Sequence, residues 1–227
     1  MRSITIAMDG STYFGSVALI RDGAVIAERT LGGDEGGVER SGRGERLMPA
    51  LGECLAEAGA TRDEIARIVC GAGPGSFTSL RVAGSVAKGL AFGYGVDLYA
   101  VSSLLLLVAG ANPPLPPGEY LAVLDAMRGE FYAAPEVVEN DGTARQIGPV
   151  TLVTAEELLA LDTSGDTRVA GPAQRFDLRP HARGVARLLP QILEDGPVDL
   201  ASWEPDYGRL AEAQVRWEAE HGRPLPR

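Results

Sequence analysis

The sequence predicts an α/β protein made of two lobes, each built from a βββαβα unit. Short apolar runs alternate with amphipathic segments along the chain, which is typical of sheets covered by helices. A strand that ends in aspartate, followed by a polar turn and an Asp-Gly hairpin, occurs at Asp9 and Asp22 and again at Asp125 and Asp141. A proline-rich stretch, 113–117, separates these two units and predicts a stiff connector.

Length and composition limit the class of protein. The 227 residues, 45% of them hydrophobic, suit two small lobes, which we place at residues 1–112 and 118–227. A net charge of −10 argues against stable binding of nucleic acid by this chain alone, because phosphate contacts need clustered Lys and Arg. The N-terminus enters a strand at once, and no apolar run approaches the roughly 20 residues of a membrane span. We therefore expect a cytoplasmic protein without a membrane partner.

The first lobe begins with a strand, Ile4 to Met8, that ends at Asp9. Two further strands, Ser16 to Ile20 and Ala24 to Thr30, flank Asp22-Gly23, a strong hairpin signal. Hydrophobic periodicity and glycine content define the other elements. They are a loop to residue 44, helix Glu45 to Gly59, strand Ile65 to Gly71, helix Ser79 to Phe92, strand Val96 to Val101 and helix Ser102 to Ala111.

The second lobe repeats this order with different side chains. Its predicted elements are strand Glu119 to Leu124, strand Glu130 to Glu139, return strand Thr143 to Leu152, helix Ala155 to Leu161, strand Arg168 to Ala170 and helix Gly184 to Leu193. The segment from Tyr207 to Glu220 has helical composition. Two such lobes facing each other across a cleft predict the actin-like ATPase (ASKHA, ribonuclease H-like) fold.

The turn after the first strand is the first candidate site. In this fold the strand-end aspartate holds a metal through water, and the turn that follows faces nucleotide phosphates. Four residues match that arrangement in type and form a degenerate phosphate loop: Asp9, Gly10, Ser11 and Thr12. The alternative is that Asp9 and Ser11 only stabilise the turn through local hydrogen bonds. The bulky pair Tyr13-Phe14 and the sparse glycines favour this alternative.

A glycine-rich turn between a buried strand and a helix is the second candidate. Its characteristic residues are Gly73, Pro74, Gly75, Ser76, Phe77, Thr78 and Arg81. Such a turn leaves backbone N–H groups at the positive end of a helix, where an anion can dock. The alternative is a sharp structural turn in which Ser76 or Thr78 caps the helix.

Two helices of the first lobe have an apolar surface wider than packing against one sheet requires. We predict that the surplus contacts a partner. The predicted interface residues are Leu47, Met48, Leu51, Cys54, Leu55, Val82, Ala83, Val86 and Leu90.

Candidate catalytic and metal-binding residues are few. Ser11 and Ser76 have no histidine near them in sequence, which argues against serine hydrolysis. The histidines, His181 and His221, are far apart and expected to be exposed and inert. The two cysteines, Cys54 and Cys70, offer neither a disulfide framework nor zinc spacing. We predict no catalytic residue and no metal site.

Several motifs together resemble the TsaB (YeaZ) family, which takes part in making threonylcarbamoyladenosine in tRNA. The matching segments are Gly73 to Arg81 with Ser79 in place of glycine, Ala87 to Ala91, Asp125 to Tyr132, Asp9-Gly10-Ser11 and Glu204 to Arg209. The family's His-Ser-Glu is replaced in the segment from Arg43 to Pro49, which puts the local loop structure in doubt.

This resemblance implies a non-catalytic subunit that pairs with its catalytic relative TsaD through the helices of the first lobe. The ATPase TsaE is implied as a further member of the complex, and a homodimer could use the same face when TsaD is absent. The resemblance implies no tightly bound cofactor, although a nucleotide could lie at a subunit interface. The alternatives are an autonomous nucleotide-dependent enzyme of the same fold and, less favoured, a glycoprotease-like peptidase.

Overall fold

Two mixed sheets form the framework of the computed structural model, which describes residues 2–32, 46–165, 167–208 and 221–222. Several predictions lie outside these residues. They are the loop over 33–44, the helix start at Glu45, the departure at Arg43, the end of the late motif at Arg209 and the helical composition of 209–220.

The first sheet has five strands. They are β1 (Ile4–Asp9), β2 (Ser16–Arg21), β3 (Ala24–Thr30), β4 (Ile65–Gly71) and β5 (Asp97–Val101). Their order is β3-β2-β1-β4-β5, with β1 antiparallel to β2 and parallel to β4. Asp22 and Gly23 both have positive φ, as the predicted hairpin requires. β1 is buried along its whole length because it lies in the centre of the sheet.

The second sheet repeats this order. Its strands are β6 (Gly118–Asp125), β7 (Glu130–Val138), β8 (Ala144–Gln146), β9 (Thr151–Thr154), β10 (Val169–Gly171) and β11 (Phe176–Asp177). The order is β11-β10-β6-β7-β8, with β9 also paired to β7. The matching order supports the predicted duplication.

The predicted return strand from Thr143 to Leu152 is wrong as one element, because the structure divides it into β8 and β9. Both strands pair with β7, but residues 147–150 leave the ladder between them. Pro135 in β7 and Pro149 lack the N–H groups that a continuous ladder needs. The side chain of Pro135 also lies against Gly148, which widens the gap.

The helices are α1 (Leu47–Glu57), α2 (Phe77–Tyr94), α3 (Ser103–Ala109), α4 (Ala155–Ser164) and α5 (Val185–Asp195). Short 3₁₀ turns span Arg62–Glu64 and Ala182–Gly184. In the first lobe α2 connects β4 to β5, whereas in the second lobe residues 172–175 alone connect β10 to β11. The second lobe therefore lacks a counterpart of α2.

Three hydrophobic clusters hold the elements together. One lies between the first sheet and helices α1 and α2, and a small one lies beneath α4 on the second sheet. The largest joins both sheets around α3 and α5. Every residue of α3 is buried, as expected of a helix that is apolar on all sides. The lobes thus share one core, which fixes the width of the cleft between them.

The last described stretch returns to the first lobe after α5. The Val198 amide donates to the Leu98 carbonyl at 2.9 Å, and Trp203 packs into the core beneath α2. The predicted lobe limits of 1–112 and 118–227 remain a prediction. In the described part of the chain, no helix is both long enough and apolar enough to cross a membrane.

Candidate functional site

A cleft of about 970 Å³ lies where the turns of both lobes meet. One wall comes from the β1–β2 turn, residues 11–14, and from the glycine turn that leads into α2, residues 75–78. The opposite wall comes from the β6–β7 turn, residues 124–128. Arg179 and Tyr207 also line the cleft, where they contact Phe14 and Phe77 of the first wall. The turns after the first strands of the two lobes are therefore brought together, and the one after Asp9 was a predicted site.

Asp9 lies at the end of β1 but does not line the cleft, because it is 0% exposed. Its Oδ1 accepts hydrogen bonds from the Ser11 amide at 3.0 Å and the Ser11 hydroxyl at 2.7 Å. Its Oδ2 accepts from the Ser103 hydroxyl at 2.7 Å. Burial raises the pKa of Asp9, and these three hydrogen bonds act in the opposite direction. The carboxyl group joins β1, its turn and α3.

The same network extends to the glycine turn. The Gly73 amide donates to Ser103 Oγ at 3.1 Å, and the Ser76 amide donates to the Ser11 carbonyl at 2.7 Å. Gly73 and Gly75 have φ of 93° and 158°. A Cβ at Gly73 would collide with the Asp206 carbonyl, and one at Gly75 with the Ser11 carbonyl. The two glycines thus permit close backbone approach from both sides.

The start of α2 differs from the capping prediction. Ser76 occupies the N-cap position, but its side chain makes no capping hydrogen bond to the backbone. Its hydroxyl instead donates to Ser79 Oγ at 3.1 Å. Ser79 thus has a partner at the position where the family motif carries glycine. The roles proposed for the turn residues in anion binding remain a prediction.

The turn predicted to be a degenerate phosphate loop packs tightly against α2. A Cβ at Gly10 would lie 2.7 Å from the Ala83 Cβ, so the backbone at Gly10 lies directly on the helix. Thr12 Oγ1 accepts from the Phe14 amide at 3.2 Å. The hydroxyl groups of Ser11 and Thr12 therefore both take part in local hydrogen bonds within the turn.

The second-lobe wall is formed by a strained turn that the sequence did not single out as a site. Met127 and Arg128 have φ of 67° and 60°, the left-handed region that non-glycine residues seldom occupy. Both residues belong to the family motif from Asp125 to Tyr132, in which they occupy the two middle places. Arg179 lies in an aperiodic segment and was missed because no pattern marks it.

Aromatic side chains and the returning C-terminal segment close one end of the cleft. Phe77 and Tyr207 have ring centroids 4.6 Å apart. The Tyr132 hydroxyl on β7 donates to the Tyr207 carbonyl at 3.2 Å, which links the segment to the second lobe. Lys88 on α2 donates to the Trp203 carbonyl at 2.8 Å. These contacts explain why the late Glu-Pro-x-Tyr motif lies beside the glycine turn.

The residues of the predicted partner surface differ in burial, and only some of them are accessible to a partner. Leu47, Leu51, Cys54 and Ala83 are buried in this chain's own core, so a partner cannot contact them without unfolding it. Met48 is 49% exposed, while four of the nine residues are half-buried. These four are Leu55, Val82, Val86 and Leu90. Phe92 was not predicted, yet it is 81% exposed on α2.

The histidine prediction is wrong for His181, whose side chain is only 12% exposed. It lies between β3 and the 3₁₀ turn, which is tied to β2 by a hydrogen bond from the Ala182 amide to Ser16 Oγ. Burial and the neighbouring Arg183 lower the pKa of His181 to about 4. His221 is exposed, as expected.

Cys54 and Cys70 are free thiols in the core, and burial raises the pKa of both. Neither thiol is placed for chemistry at the cleft. Among the described residues, His, Cys, Asp and Glu side chains form no group of three or more that could hold a metal ion.

Comparison with known proteins shows the relationships of the chain. Residues 38–183, more than half of the sequence, match the family model described as TsaD, tRNA N6-adenosine threonylcarbamoyltransferase. A relative from Bacillus subtilis, the tRNA threonylcarbamoyladenosine biosynthesis protein TsaB, is 29% identical over 93% of this chain and 96% of its own length. The TsaB protein of Escherichia coli is 33% identical over 60% of this chain and 56% of its own.

A solved structure, YeaZ from Pseudomonas aeruginosa, matches with a TM-score of 0.74 and 28% identity over 90% of this chain and 99% of that protein. This match and the two mixed sheets of equal strand order confirm the predicted actin-like fold. The motifs quoted from the sequence occupy the glycine turn, the start of the β6–β7 turn and the segment beside them. The chain belongs to the TsaB (YeaZ) family, within the larger group that the TsaD model describes.

Proposed function

We propose that the chain is a non-catalytic subunit of threonylcarbamoyladenosine biosynthesis that binds a TsaD-type threonylcarbamoyltransferase. The named relatives are biosynthesis proteins of this modification, and the matching family model describes the transferase itself. The proposal assigns the chemistry to the partner. This chain contributes a rigid surface that supports the partner's fold and position.

The burial of Asp9 is the observation that carries the proposal. In catalytic members of the fold, the aspartate at this strand end works in the cleft. Here both carboxylate oxygens accept hydrogen bonds from Ser11 and Ser103, and the residue is inaccessible. Because its hydrogen bonds also organise the glycine turn and α3, this residue supports structure instead of turnover.

The outer face of α2 is the surface that we propose for the partner. The exposed residues Arg81, Ser85, Gly89 and Phe92 are spaced by four, four and three positions, so they form one stripe along the helix. Ser85 and Gly89 leave the middle of the stripe flat, and a Cβ at Gly89 would meet no atom within 4 Å. A second helix could therefore approach closely between the charged and the aromatic ends.

Exposed residues of α1 extend this surface. Met48, Gly52 and Ala56 are exposed and recur with a spacing of four. Both helices pack on the same face of the first sheet, where they share one core cluster. The combined surface is flat in its middle, with Met48 and Phe92 as the large side chains that a partner pocket could receive.

Gly89→Arg tests this surface without harming the fold. The substitution replaces a helix-breaking residue at an open position, so we expect equal or higher stability of the isolated chain. The new side chain would hold a partner helix away, and we expect the affinity for the TsaD-type transferase to fall at least tenfold. Isothermal titration calorimetry measures the affinity, and a urea denaturation curve checks the fold.

Leu159→Arg is the matched control. Leu159 is a large exposed side chain on α4 of the second lobe, outside the proposed surface. We expect this variant to bind the transferase like the wild type. Wild-type affinity of Gly89→Arg, with the fold intact, would exclude the α2 face as the interface.

The second candidate function is an autonomous nucleotide-dependent enzyme, and the volume of the cleft is what favours it. Turnover of ATP with magnesium by the isolated, pure chain would support it over the subunit role. Four further expectations remain predictions. Two concern assembly: TsaE joins the complex, and the chain forms a homodimer when TsaD is absent. Two concern ligands: the chain alone does not bind tRNA stably, and a nucleotide lies at a subunit interface with no tightly bound cofactor.

A further inference from the structure

The cleft between the lobes carries an exposed cation on an aromatic platform. The guanidinium carbon of Arg179 lies 4.8 Å from the centre of the Phe14 ring, which holds the planar group against the wall. In the described part of the chain, the ion pairs do not include Arg179. Its N–H groups are therefore available to an anion that enters the cleft.

Among the residues that the structure describes, few charged side chains line the cleft. They are the cations Arg128 and Arg179 and the carboxylate of Asp125, which accepts a hydrogen bond from the Met127 amide at 2.7 Å. Asp125 and Arg128 carry opposite charges, so Arg179 leaves the described lining with one positive charge in excess, in a chain whose total charge is −10. This local reversal of sign favours an anionic ligand.

Large apolar side chains provide most of the remaining surface. Tyr13, Phe77 and Met127 line the cleft and are 46%, 40% and 62% exposed. Leu124 and Tyr207 also line the cleft. Such surfaces favour a flat ring system, which can stack on aromatic groups and remove apolar area from water.

The first-lobe wall is poorly suited to a polyphosphate. The hydroxyls of Ser11 and Thr12 and the amides of Ser11 and Ser76 all have partners within the protein. Asp9, which could hold a cation beside phosphates, is buried away from the cleft. The Asp9 carboxylate and these Ser11 and Ser76 donors are therefore not available to a polyphosphate and its cation.

We propose that this cleft binds an apolar ring compound that carries a single anionic group, with the rings against Tyr13, Phe77 and Met127 and the anion on Arg179. This site adjoins the α2 end of the partner surface, since the Arg81 guanidinium lies 5.5 Å from the centre of the Phe77 ring, but the proposal does not depend on that interface. The ligand class also differs from the nucleotide that the fold would suggest.

Two fluorescent probes that differ by one charge test the proposal. The first, 8-anilinonaphthalene-1-sulfonate, has the proposed chemistry, and N-phenyl-1-naphthylamine has the same rings without the sulfonate. Wild-type protein should bind the sulfonate saturably with one site per chain. Arg179→Gln should weaken the sulfonate roughly tenfold, because a charge-assisted hydrogen bond is lost, and should change the uncharged probe less than twofold.

Two further variants locate the binding. Arg175→Gln removes an exposed arginine that does not line the cleft, and both probes should bind as they do to wild type. Thr78→Trp places a large ring in the cleft from an exposed position on α2, and both probes should be displaced. Urea denaturation curves for each variant show that the fold is retained.

The proposal is overturned if wild-type protein does not bind the sulfonate probe, or if Arg179→Gln and Thr78→Trp leave its affinity unchanged. It is also overturned if ATP with magnesium displaces the probe at lower concentration than 1-naphthoate, because the cleft would then be a nucleotide site. Preferential displacement by 1-naphthoate, together with the loss in Arg179→Gln, would support it.

Discussion

Asp9 and Asp125 end the corresponding first strands of the two lobes, yet they have opposite environments. Asp9 is fully buried and accepts three hydrogen bonds from Ser11 and Ser103. Asp125 is exposed on the cleft wall, and its side chain accepts from the Met127 amide. The same sequence pattern has therefore produced one structural residue and one surface residue.

The neighbouring parallel strand explains the difference. At the end of β4, Gly71 lies beside Asp9, and the missing Cβ leaves room for the carboxylate. At the end of β10, Gly171 lies beside Val123, two residues before Asp125. Asp125 thus extends beyond its neighbour into the cleft. A shift of two residues in sheet register decides whether a strand-end carboxylate is covered or available.

The comparison is tested most strongly by truncating both aspartates. Asp9→Ala removes the acceptor of three buried donors, so we expect the free energy of unfolding to fall by about 4 kcal/mol. Asp125→Ala exposes no buried donor, and we expect a loss under about 1 kcal/mol. Urea denaturation measures both values. Similar losses for the two variants would show that burial does not distinguish these residues.

A second buried carboxyl group, that of Glu136, differs from Asp9 because it has no hydrogen-bond partner among the described residues. Glu136 lies on β7 and is 0% exposed. Glu136 lies two residues from both Ala134 and Val138 along β7, so the three side chains share the face that packs on the core around α3. Burial raises the pKa of Glu136 to about 8 from 4.5. The folded protein therefore holds a proton that the unfolded chain releases.

The contribution of Glu136 to the free energy of unfolding should be largest below about pH 4.5. This contribution should be lost as the pH rises to about 8. The loss should be on the order of 3 kcal/mol. Glu136→Gln should remove this part of the pH dependence, whereas Glu119→Gln, at an exposed position on β6, should keep it. Urea curves from pH 4 to pH 9 measure the effect, and an unchanged profile in Glu136→Gln would refute the assignment.

The smallest expected effect concerns the first helix of each lobe. At α4, Thr154 accepts from the Glu157 amide, and Glu157 accepts in return from the Thr154 amide. At α1, Arg46 occupies the N-cap without a side-chain cap. Thr154→Ala should therefore cost about 1 kcal/mol in urea denaturation, and Arg46→Ala close to nothing. Equal costs would mean that the capping box contributes little.

Much of the fold follows from local sequence. The Asp-Gly hairpin, the apolar run of β4 and the periodicity of α2 are signals that neighbouring residues carry, and these elements appear where predicted. The prediction of one return strand failed because two prolines interrupt the ladder, and only Pro149 lies within the predicted strand, whereas Pro135 lies on β7. The prediction that His181 is exposed failed because its burial comes from β3, which is far away in the chain.

The candidate site was predicted in part. The glycine turn and the turn after Asp9 do lie at the cleft, since strand-end turns of facing lobes must meet there. Arg179 could not be predicted, because a residue in an aperiodic segment gains its place from the packing of distant elements. Phe92 could have been suspected as a large aromatic on the polar stripe of α2.

The sequence by itself determined the duplicated α/β lobes, the glycine turn and the family, because hydrophobic period, turn residues and short motifs are local properties of the chain. Only the tertiary structure decided that Asp9 is covered, that half of the expected helix surface is core, and that Arg179 faces the cleft. Burial depends on contacts between segments that are far apart in the sequence, and local sequence patterns do not show which of these segments meet.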